Sequence, residues 1–417
     1  MSILIQQVYL PDREGLWDIL TEGSFIKRID RHLNLDGVQV IDGKGCAALP
    51  GLVNAHTHAA MTLLRGYADD MPLMSWLEHK IWPAEAKLTP GGVYWGTMLA
   101  ALEMVKSGTT CFADMYMHVD SMAQAVADSG LRAALGGALF KTEHLDEQQK
   151  VVHKWHGAEN GRIQIMFAPH SLYACDPQLL RTTVKTASRL NVGLHIHLAE
   201  SKDEEEIILS RYGKRPVAYA EDLGFLTNPL LAAHMVQVNE EDMALMQPYQ
   251  QHISIAHNPH SNMKLSNGAA PVQCFLEKGF RVAIGTDGPS SNNSLDMFSE
   301  TKSASLLAKL QSGQATAVPA AQALQMATQN GAQACLFANA GQLKEGYKAD
   351  IILLDLQKPK LWPCHDILSQ AVYAANGADV KSTIVDGCLL MKDYQILLMD
   401  EEKIMAEAAR AARVMVI

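Results

Sequence analysis

The chain has 417 residues, of which 48% are hydrophobic and 19% charged, and its formal net charge is −10. This balance supplies enough apolar material for a packed core and argues against disorder over most of the chain. The negative charge is spread along the sequence. It argues against a nucleic-acid partner, because such a partner needs a basic face to neutralise phosphates.

The N-terminus lacks the pattern of a signal peptide, and no apolar run approaches the roughly 18 residues of a membrane-spanning helix. The seven cysteines are scattered and include no C-x-x-C pair, which disfavours a disulfide framework or a thiolate metal site. The sequence therefore predicts a soluble, cytoplasmic protein that does not bind membranes. It leaves monomer and homo-oligomer open.

Short apolar runs separated by turn residues fill the first fifty positions and indicate strands in ILIQQVYL, SFIKRI and VQVIDGKGCAALPG. From about residue 51, strand-like segments alternate with amphipathic helical segments. The expected strands are VNAHTH, GTTCFADM, LRAALGGAL, IQIMFAPH, VGLHIHLAE, LLAAHMV, ISIAHNP and RVAIGTDG. Eight strands interleaved with helices predict a (β/α)8 TIM-type barrel.

After about residue 345 the short-strand pattern returns in ADIILLDL, VKSTIVDGCLLM and YQILLM, and a helical tail follows. We expect the two ends of the chain to pair in one small β-sandwich beside the barrel. The predicted division is 1–50 and 345–417 for the β-sandwich, with the helical tail at its end, and 51–344 for the barrel.

Histidines recur where the predicted barrel strands end, which is where the active sites of such barrels lie. His56 and His58 are two residues apart, and this spacing places both imidazoles on one face of a strand. Alone, the pair is weak evidence for a metal. In LHIHLAE, alternation leaves His195 and His197 open, and the strand-end position and nearby Glu200 favour His197.

His234 closes LLAAHMV, and Asp287 ends the last predicted strand. Each has a plain structural alternative: His234 as a satisfied core histidine, and Asp287 as a helix cap. Three histidines and one aspartate at successive strand ends nevertheless form a suitable nitrogen and oxygen set for zinc, with a position open for water. The sequence leaves iron and manganese open. His257 and His260 are candidates for a structural or supporting role.

Longer motifs surround these residues: GLVNAHTHAAMTLLRG, HIHLAES, AHNPHSNMKLSNGAAPV and GTDGPSSNNSLDMFSE. Together they resemble the amidohydrolase superfamily and, within it, the methylthioadenosine/S-adenosylhomocysteine deaminase branch. The similarity extends from about residue 49 to 296 and continues into GQLKEGYKADIILLDL.

This resemblance implies a zinc-dependent deaminase that removes the 6-amino group of an adenosine-type nucleoside. The implied metal ligands are His56, His58, His197 and Asp287. The implied catalytic residues are Glu200, which would protonate a ring nitrogen, and His234 and Asp287, which would orient water and take up its proton. The implied substrate-binding residues are Glu85 on the ribose hydroxyls, His170 over the base or sugar, Trp82 beside Glu85, and Glu200. The alternative for Glu85 is a solvated carboxylate on a helix face.

Two departures from related patterns refine this expectation. Relatives with two metals carry a bridging lysine at the end of the fourth strand, whereas IQIMFAPHS has none, which favours a single metal ion. The branch that accepts S-adenosylhomocysteine is expected to carry arginines after the third strand. Here only Arg132, which the pattern allows within the strand, and Lys141 are available. The sequence thus favours methylthioadenosine or adenosine over S-adenosylhomocysteine.

Two other functions keep the same fold. One is hydrolysis of a bare nucleobase, a triazine or a cyclic amide, which would have no use for a ribose-binding Glu85. The other is a non-catalytic scaffold, which predicts broken metal ligands, whereas every expected ligand type is present.

Overall fold

The computed structural model describes residues 2–416 and contains two separate sheets. Its strands, in chain order, are β1 (Ser2–Leu10), β2 (Arg13–Glu22), β3 (Phe25–Asp30), β4 (Gln39–Asp42), β5 (Cys46–Pro50), β6 (Leu52–Thr57), β7 (Thr109–Tyr116), β8 (Arg132–Leu139), β9 (Ile163–Pro169), β10 (Gly193–Leu198), β11 (Leu230–His234), β12 (Ile253–His257), β13 (Arg281–Ile284), β14 (Ile351–Asp355), β15 (Val380–Val385), β16 (Cys388–Lys392) and β17 (Gln395–Ile396).

Helices occupy most of the connections between the barrel strands. They are α1 (Leu73–Trp76), α2 (Trp82–Glu85), α3 (Pro90–Lys106), α4 (Val119–Ser129), α5 (Thr142–Trp155), α6 (Ala158–Gly161), α7 (Pro177–Leu190), α8 (Lys202–Tyr212), α9 (Pro216–Asp222), α10 (Glu240–Met246), α11 (Pro259–Lys264), α12 (Val272–Glu277), α13 (Met297–Ser312), α14 (Ala320–Gln325), α15 (Gly331–Ala334), α16 (Ile367–Tyr373) and α17 (Glu401–Val416). None of the helices within this described part of the chain is long and apolar enough to cross a membrane.

The parallel barrel confirms the predicted fold class. Within residues 2–416, eight strands follow one another from β6 to β13 in sequence order, each paired in parallel with the next. All residues of β7, β10 and β11 are buried, as expected for strands covered on both faces. Small side chains such as Ala113, Ala134 and Ala283 contribute to one apolar cluster within the barrel.

Both ends of the chain form the second sheet, as the sequence predicted. Its strand order is β17-β16-β15-β14-β5-β1-β2-β3, and β4 pairs with β1, so it is a mixed sheet. Residues from both ends, including Ile5, Ile26, Ile351 and Ile384, share a hydrophobic cluster separate from that of the barrel. We propose that the two domains meet at 50/51, between β5 and β6, and at 344/345, ahead of β14.

Two details of this sheet differ from the pattern read in the sequence. The strand β2 was not predicted, because REGLWDILTE begins with charged and turn-forming residues, yet it pairs with β1 and β3. The segment YQILLM was expected to be a strand, but only Gln395–Ile396 pair with β16. The tail helix α17 then packs against α3 on the barrel.

Arg132 joins the barrel to this sheet. It begins β8 and is fully buried, with its guanidinium Nε 2.9 Å from Asp350 Oδ2 and Nη2 2.8 Å from Asp386 Oδ1. The Arg132 side chain is thereby held in an ion-pair network. Lys348 also belongs to this network, with its Nζ 3.0 Å from Asp386 Oδ1. Arg132 lies within a strand and away from the substrate pocket, so it is not the missing contact for a substrate tail.

We expect Arg132→Met to lower the free energy of unfolding by about 3–5 kcal/mol, because it leaves the buried carboxylate of Asp350 without its cation and removes one of the two cations beside Asp386. Chemical denaturation followed by circular dichroism measures this loss. The control is Lys27→Met, which removes an exposed ion pair with Glu22 and should leave the denaturation midpoint nearly unchanged. Equal midpoints for the two variants would contradict a joining role for Arg132.

Candidate metal centre and substrate pocket

The barrel closes between its first and last strands, and this seam carries two of the predicted ligands. Thr57 bridges to Asp287 in parallel, and the Asp287 backbone N–H donates to the His56 carbonyl at 2.9 Å. Glycine is required at 285, since a Cβ there would lie 2.8 Å from the His56 backbone nitrogen. Residues far apart in sequence are thus held side by side at the carboxyl end of the barrel.

The four predicted metal ligands converge at this seam. One ligand atom from each of His56, His58, His197 and Asp287 lies within 4.8 Å of the others. Asp287 Oδ1 is 3.3 Å from His56 Nε2 and 3.2 Å from His58 Nε2. Three imidazoles and a carboxylate in such a cluster form a donor set suited to a divalent metal ion.

Hydrogen bonds on the far side of two rings fix their tautomers. His58 Nδ1 lies 2.6 Å from the Met115 carbonyl, and His197 Nδ1 lies 2.7 Å from the His170 carbonyl. A carbonyl only accepts, so each Nδ1 carries a proton, and in the neutral form of each ring Nε2 holds the lone pair. The His58 and His197 Nε2 atoms are 3.2 Å apart, so their lone pairs converge where a cation would relieve the repulsion.

His195 lies behind this cluster. Its Nε2 is 2.8 Å from His56 Nδ1, whereas His197, two residues further along β10, contributes to the ligand group itself. The His56 Nε2 atom is buried and has no hydrogen-bond partner among the described residues, as expected of a nitrogen reserved for a metal. Burial lowers the pKa of His56 to about 4, which keeps its imidazole neutral and available as a ligand.

Asp287 is oriented by two hydroxyls. Ser261 Oγ and Ser291 Oγ donate to its Oδ2 at 2.6 and 2.7 Å, which leaves Oδ1 facing the histidines. Burial alone would raise the pKa of Asp287, but the imidazoles of His56 and His58 beside its Oδ1 hold that pKa well below its usual range. The carboxylate is therefore charged and favours a cation at the centre of the cluster.

His234 reaches the pocket through an unusual backbone conformation. Ala232, two residues earlier, packs in the outer core, and alternation would place His234 on the same side. The chain instead turns at the end of β11, with φ of 76° at His234 and 49° at Met235. His234 Nδ1 lies 2.9 Å from Asn262 Oδ1, and its Nε2 lies 3.9 Å from Glu200 Oε2.

Glu200 is a buried carboxyl group facing the same pocket. Asn267 Nδ2 donates to its Oε1 at 3.0 Å, and burial raises its pKa. Behind it, the carboxylate of Glu204 accepts a hydrogen bond from the Glu200 backbone N–H at 2.8 Å. Glu204 is 1% exposed, and burial raises its pKa to about 8. Glu200 is thus held in place, and its burial strengthens its affinity for a proton.

The predicted substrate-binding residues line one cavity beside the metal cluster, and this cavity opens to solvent. Glu85 and Trp82 enter it from α2, and the ring of His170 stacks on Phe140 at 4.9 Å. Burial raises the pKa of Glu85 to about 7, against the opposing influence of Tyr116 and His58. Glu85 is therefore part of the pocket wall and not a solvated helix-face carboxylate.

Much of the remaining wall is apolar. The lining includes Met61, Leu73, Trp76, Leu77, Ile81, Met117 and Leu265. Among the described residues that line the cavity, none is a lysine or an arginine. Lys141 is exposed ahead of α5 and is not part of the lining. His257 and His260 are not part of it either, and His260 Nδ1 instead pairs with Glu300 Oε1 at 2.7 Å.

Sequence reasoning missed several supporting side chains. Ser261, Asn262 and Asn267 come from AHNPHSNMKLSN, and Ser291 comes from GTDGPSSNN. Both motifs were noted for resemblance, but no periodicity assigns a hydrogen bond to a particular Ser or Asn in a loop. Tyr116, which ends β7 and lines the cavity, was also missed.

A parallel (β/α)8 barrel with a three-histidine, one-aspartate cluster at its carboxyl end defines a class of metal-dependent hydrolases. Residues 47–390 match the model of the amidohydrolase family. The chain belongs to this family.

Relatives cover nearly all of the chain. It is 50% identical over 377 residues to the 5-methylthioadenosine/S-adenosylhomocysteine deaminase of Pelotomaculum thermopropionicum, a span that covers 89% of this chain and 87% of that protein. It is 47% identical to the 5'-deoxyadenosine deaminase of Methanosarcina acetivorans, with 100% and 98% covered. The crystal structure of an adenosine deaminase from Xanthomonas campestris with bound zinc superposes with a TM-score of 0.95 at 32% identity, covering 100% of this chain and 99% of that one.

We expect His195→Phe to weaken metal binding by roughly 10- to 100-fold, because His56 loses the partner that orients its ring. Competition with a chelator of known affinity measures the dissociation constant. His153→Gln, on the exposed face of α5, is the matched control and should bind metal as the unaltered protein does. An unchanged dissociation constant for His195→Phe would show that the contact with His56 does not support the metal site.

Proposed function

We propose that the chain is a metal-dependent deaminase that hydrolyses the 6-amino group of a 5'-substituted adenosine, giving the inosine analogue and ammonia. One observation carries the proposal: a buried carboxyl group, Glu200, lies next to the cluster of metal ligands at the base of a pocket whose described lining contains no lysine or arginine. The names of the two deaminase relatives agree with this reaction.

We further propose one zinc ion per subunit, held by His56, His58, His197 and Asp287. Support comes from the nitrogen-rich donor set and from the zinc in the similar adenosine deaminase structure. Zinc in such a site supplies a water nucleophile activated at neutral pH. Iron and manganese are the alternatives that metal analysis would distinguish.

The remaining chemistry belongs to side chains of the chain. With its raised pKa, Glu200 can hold a proton and donate it to the ring nitrogen beside the carbon that carries the amino group, which makes that carbon electrophilic. With Nδ1 turned toward Asn262, His234 presents Nε2 to the pocket as a proton acceptor. We assign His234 and Asp287 to orienting the water and receiving its proton. This proton passes to the amino group, the bond between C6 and the amino nitrogen breaks, and ammonia leaves. The ring nitrogen keeps the proton from Glu200, and the second water proton, released as the oxygen on C6 becomes a carbonyl, returns to Glu200.

The pocket lining indicates the substrate. Glu85 supplies a carboxylate that a nucleoside sugar can use and a bare base cannot, and we place His170 over the base or the sugar and Trp82 beside Glu85. The apolar wall suits a methylthio or methyl group at the 5' position. The relatives named for methylthioadenosine and 5'-deoxyadenosine support such substrates. Seven free thiols fit a reducing compartment, and we propose a cytoplasmic location.

The proposed reaction is tested by ammonia release and by the ultraviolet shift from adenine to hypoxanthine on zinc-loaded protein. The panel contains 5'-methylthioadenosine, 5'-deoxyadenosine, adenosine, guanine and cytosine. We expect turnover of the nucleosides and a loss of roughly 10²–10⁴-fold in kcat for Glu200→Gln, which cannot donate a proton. Activity confined to a free base, or full activity of Glu200→Gln, would contradict the proposal.

We expect kcat/KM for S-adenosylhomocysteine to be at least about 10-fold below that for 5'-methylthioadenosine, because a buried carboxylate without a cationic partner costs free energy. The matched control is the decarboxylated analogue S-(5'-adenosyl)-3-thiopropylamine, which has a similar length and no carboxylate. Recovery of activity on this analogue would assign the loss to charge. Equal kcat/KM values for 5'-methylthioadenosine and S-adenosylhomocysteine would contradict this prediction. They would show that a cationic side chain contacts the carboxylate of the S-adenosylhomocysteine tail.

A further inference from the structure

Tyr116 is a polar side chain without an assigned role. It ends β7, its side chain is 3% exposed, and it lines the substrate cavity. Its hydroxyl is buried and has no hydrogen-bond partner of normal geometry within residues 2–416. A buried hydroxyl left without a partner destabilises a protein, so such groups normally serve a ligand or a structural contact.

The surroundings of this hydroxyl limit what it could bind. Glu85 lies close enough to it for each group to raise or lower the pKa of the other. The Tyr116 ring lies 6.1 Å from the ring of His58, on the side of the cavity nearest that metal ligand. The residues of α1 and the turn before α2 that line the cavity, such as Leu73 and Ile81, are apolar. The pair therefore supplies a donor and an acceptor at an otherwise apolar wall.

We propose that Tyr116 binds the sugar of the substrate directly, by donating its hydroxyl proton to one of the two ribose hydroxyl oxygens while Glu85 accepts from the diol. A vicinal diol has two O–H donors, which one carboxylate can accept, and each hydroxyl oxygen retains a lone pair for a donor. The carboxylate of Glu85 alone can accept from both ribose O–H groups, but it gives the lone pairs of the two hydroxyl oxygens no donor. The hydroxyl of Tyr116 beside it can supply that donor. This inference rests on the proposed nucleoside substrate.

The test is a double-mutant cycle between enzyme and substrate. The hydroxyl of Tyr116 and each ribose hydroxyl of the substrate are removed separately and then together. Tyr116→Phe and the unaltered enzyme are compared on 5'-deoxyadenosine, 2',5'-dideoxyadenosine and 3',5'-dideoxyadenosine. We expect Tyr116→Phe to lower kcat/KM about 10-fold on 5'-deoxyadenosine, a typical loss for one hydrogen bond in a dry site. The same loss should persist on one dideoxy substrate and fall below about twofold on the other.

Other patterns would overturn the proposal. Equal losses on all three substrates would assign the hydroxyl to folding or to the metal site, and no loss on 5'-deoxyadenosine would leave it without a role. Disappearance of the loss on both dideoxy substrates would mean that Tyr116 acts only by positioning Glu85. Tyr219→Phe, a buried tyrosine of α9 outside the cavity, is the matched control and should leave all three values unchanged.

Stability and ligand binding provide measurements that do not depend on turnover. Because the hydroxyl has no hydrogen-bond partner of normal geometry within residues 2–416, Tyr116→Phe should unfold at the same temperature as the unaltered protein or higher, and a lower midpoint would indicate a structural hydroxyl. Purine riboside, which lacks the amino group, is titrated calorimetrically together with its 2'-deoxy and 3'-deoxy forms. A protein that binds these ligands with the expected pattern but deaminates nothing would retain this inference and refute the proposed function.

Discussion

The site depends on one contact: the carboxylate of Asp287 against His56 and His58 across the seam where the barrel closes. This contact exists because β6 pairs with the residues that follow β13, with the Asp287 N–H donating to the His56 carbonyl. The paired elements are separated by almost the whole barrel sequence. A shift of one residue in this pairing would turn the ligands to the other face, so the register of the barrel and the geometry of the metal site are one constraint.

Around this contact the structure places hydrogen bonds behind the ligands and apolar side chains beside them. Carbonyl groups fix the rings of His58 and His197, His195 fixes His56, and two serines fix the aspartate. Each ligand atom then faces the centre with little freedom to turn away, which is the preorganisation that metal binding and catalysis require. The polar and titratable side chains lie at the base of the pocket, and much of the remaining wall is apolar.

The sequence predicted the eight barrel strands because buried parallel strands consist of apolar runs. It predicted the ligand cluster because histidines occur where several of these runs end. Strand alternation alone could not choose between His195 and His197, since both lie on one face, but the strand-end position and Glu200 favoured His197, which contributes to the ligand group. It gave no reason for His234 to face the pocket, because that depends on a left-handed backbone at the strand end. The proximity of Glu85 to Tyr116 could not be predicted either, since it depends on how the segment between β6 and β7 folds back over the barrel.

The most direct test of this account is anomalous diffraction at the zinc absorption edge from crystals of the zinc-loaded protein with a bound inosine product. The account predicts one anomalous peak, at about 2.0–2.2 Å from the three histidine nitrogens and from Asp287 Oδ1. It also predicts the purine ring beside Glu200, with the sugar at Glu85. A peak outside this cluster, two metal peaks within it, or a nucleoside bound with its base away from Glu200 would contradict it.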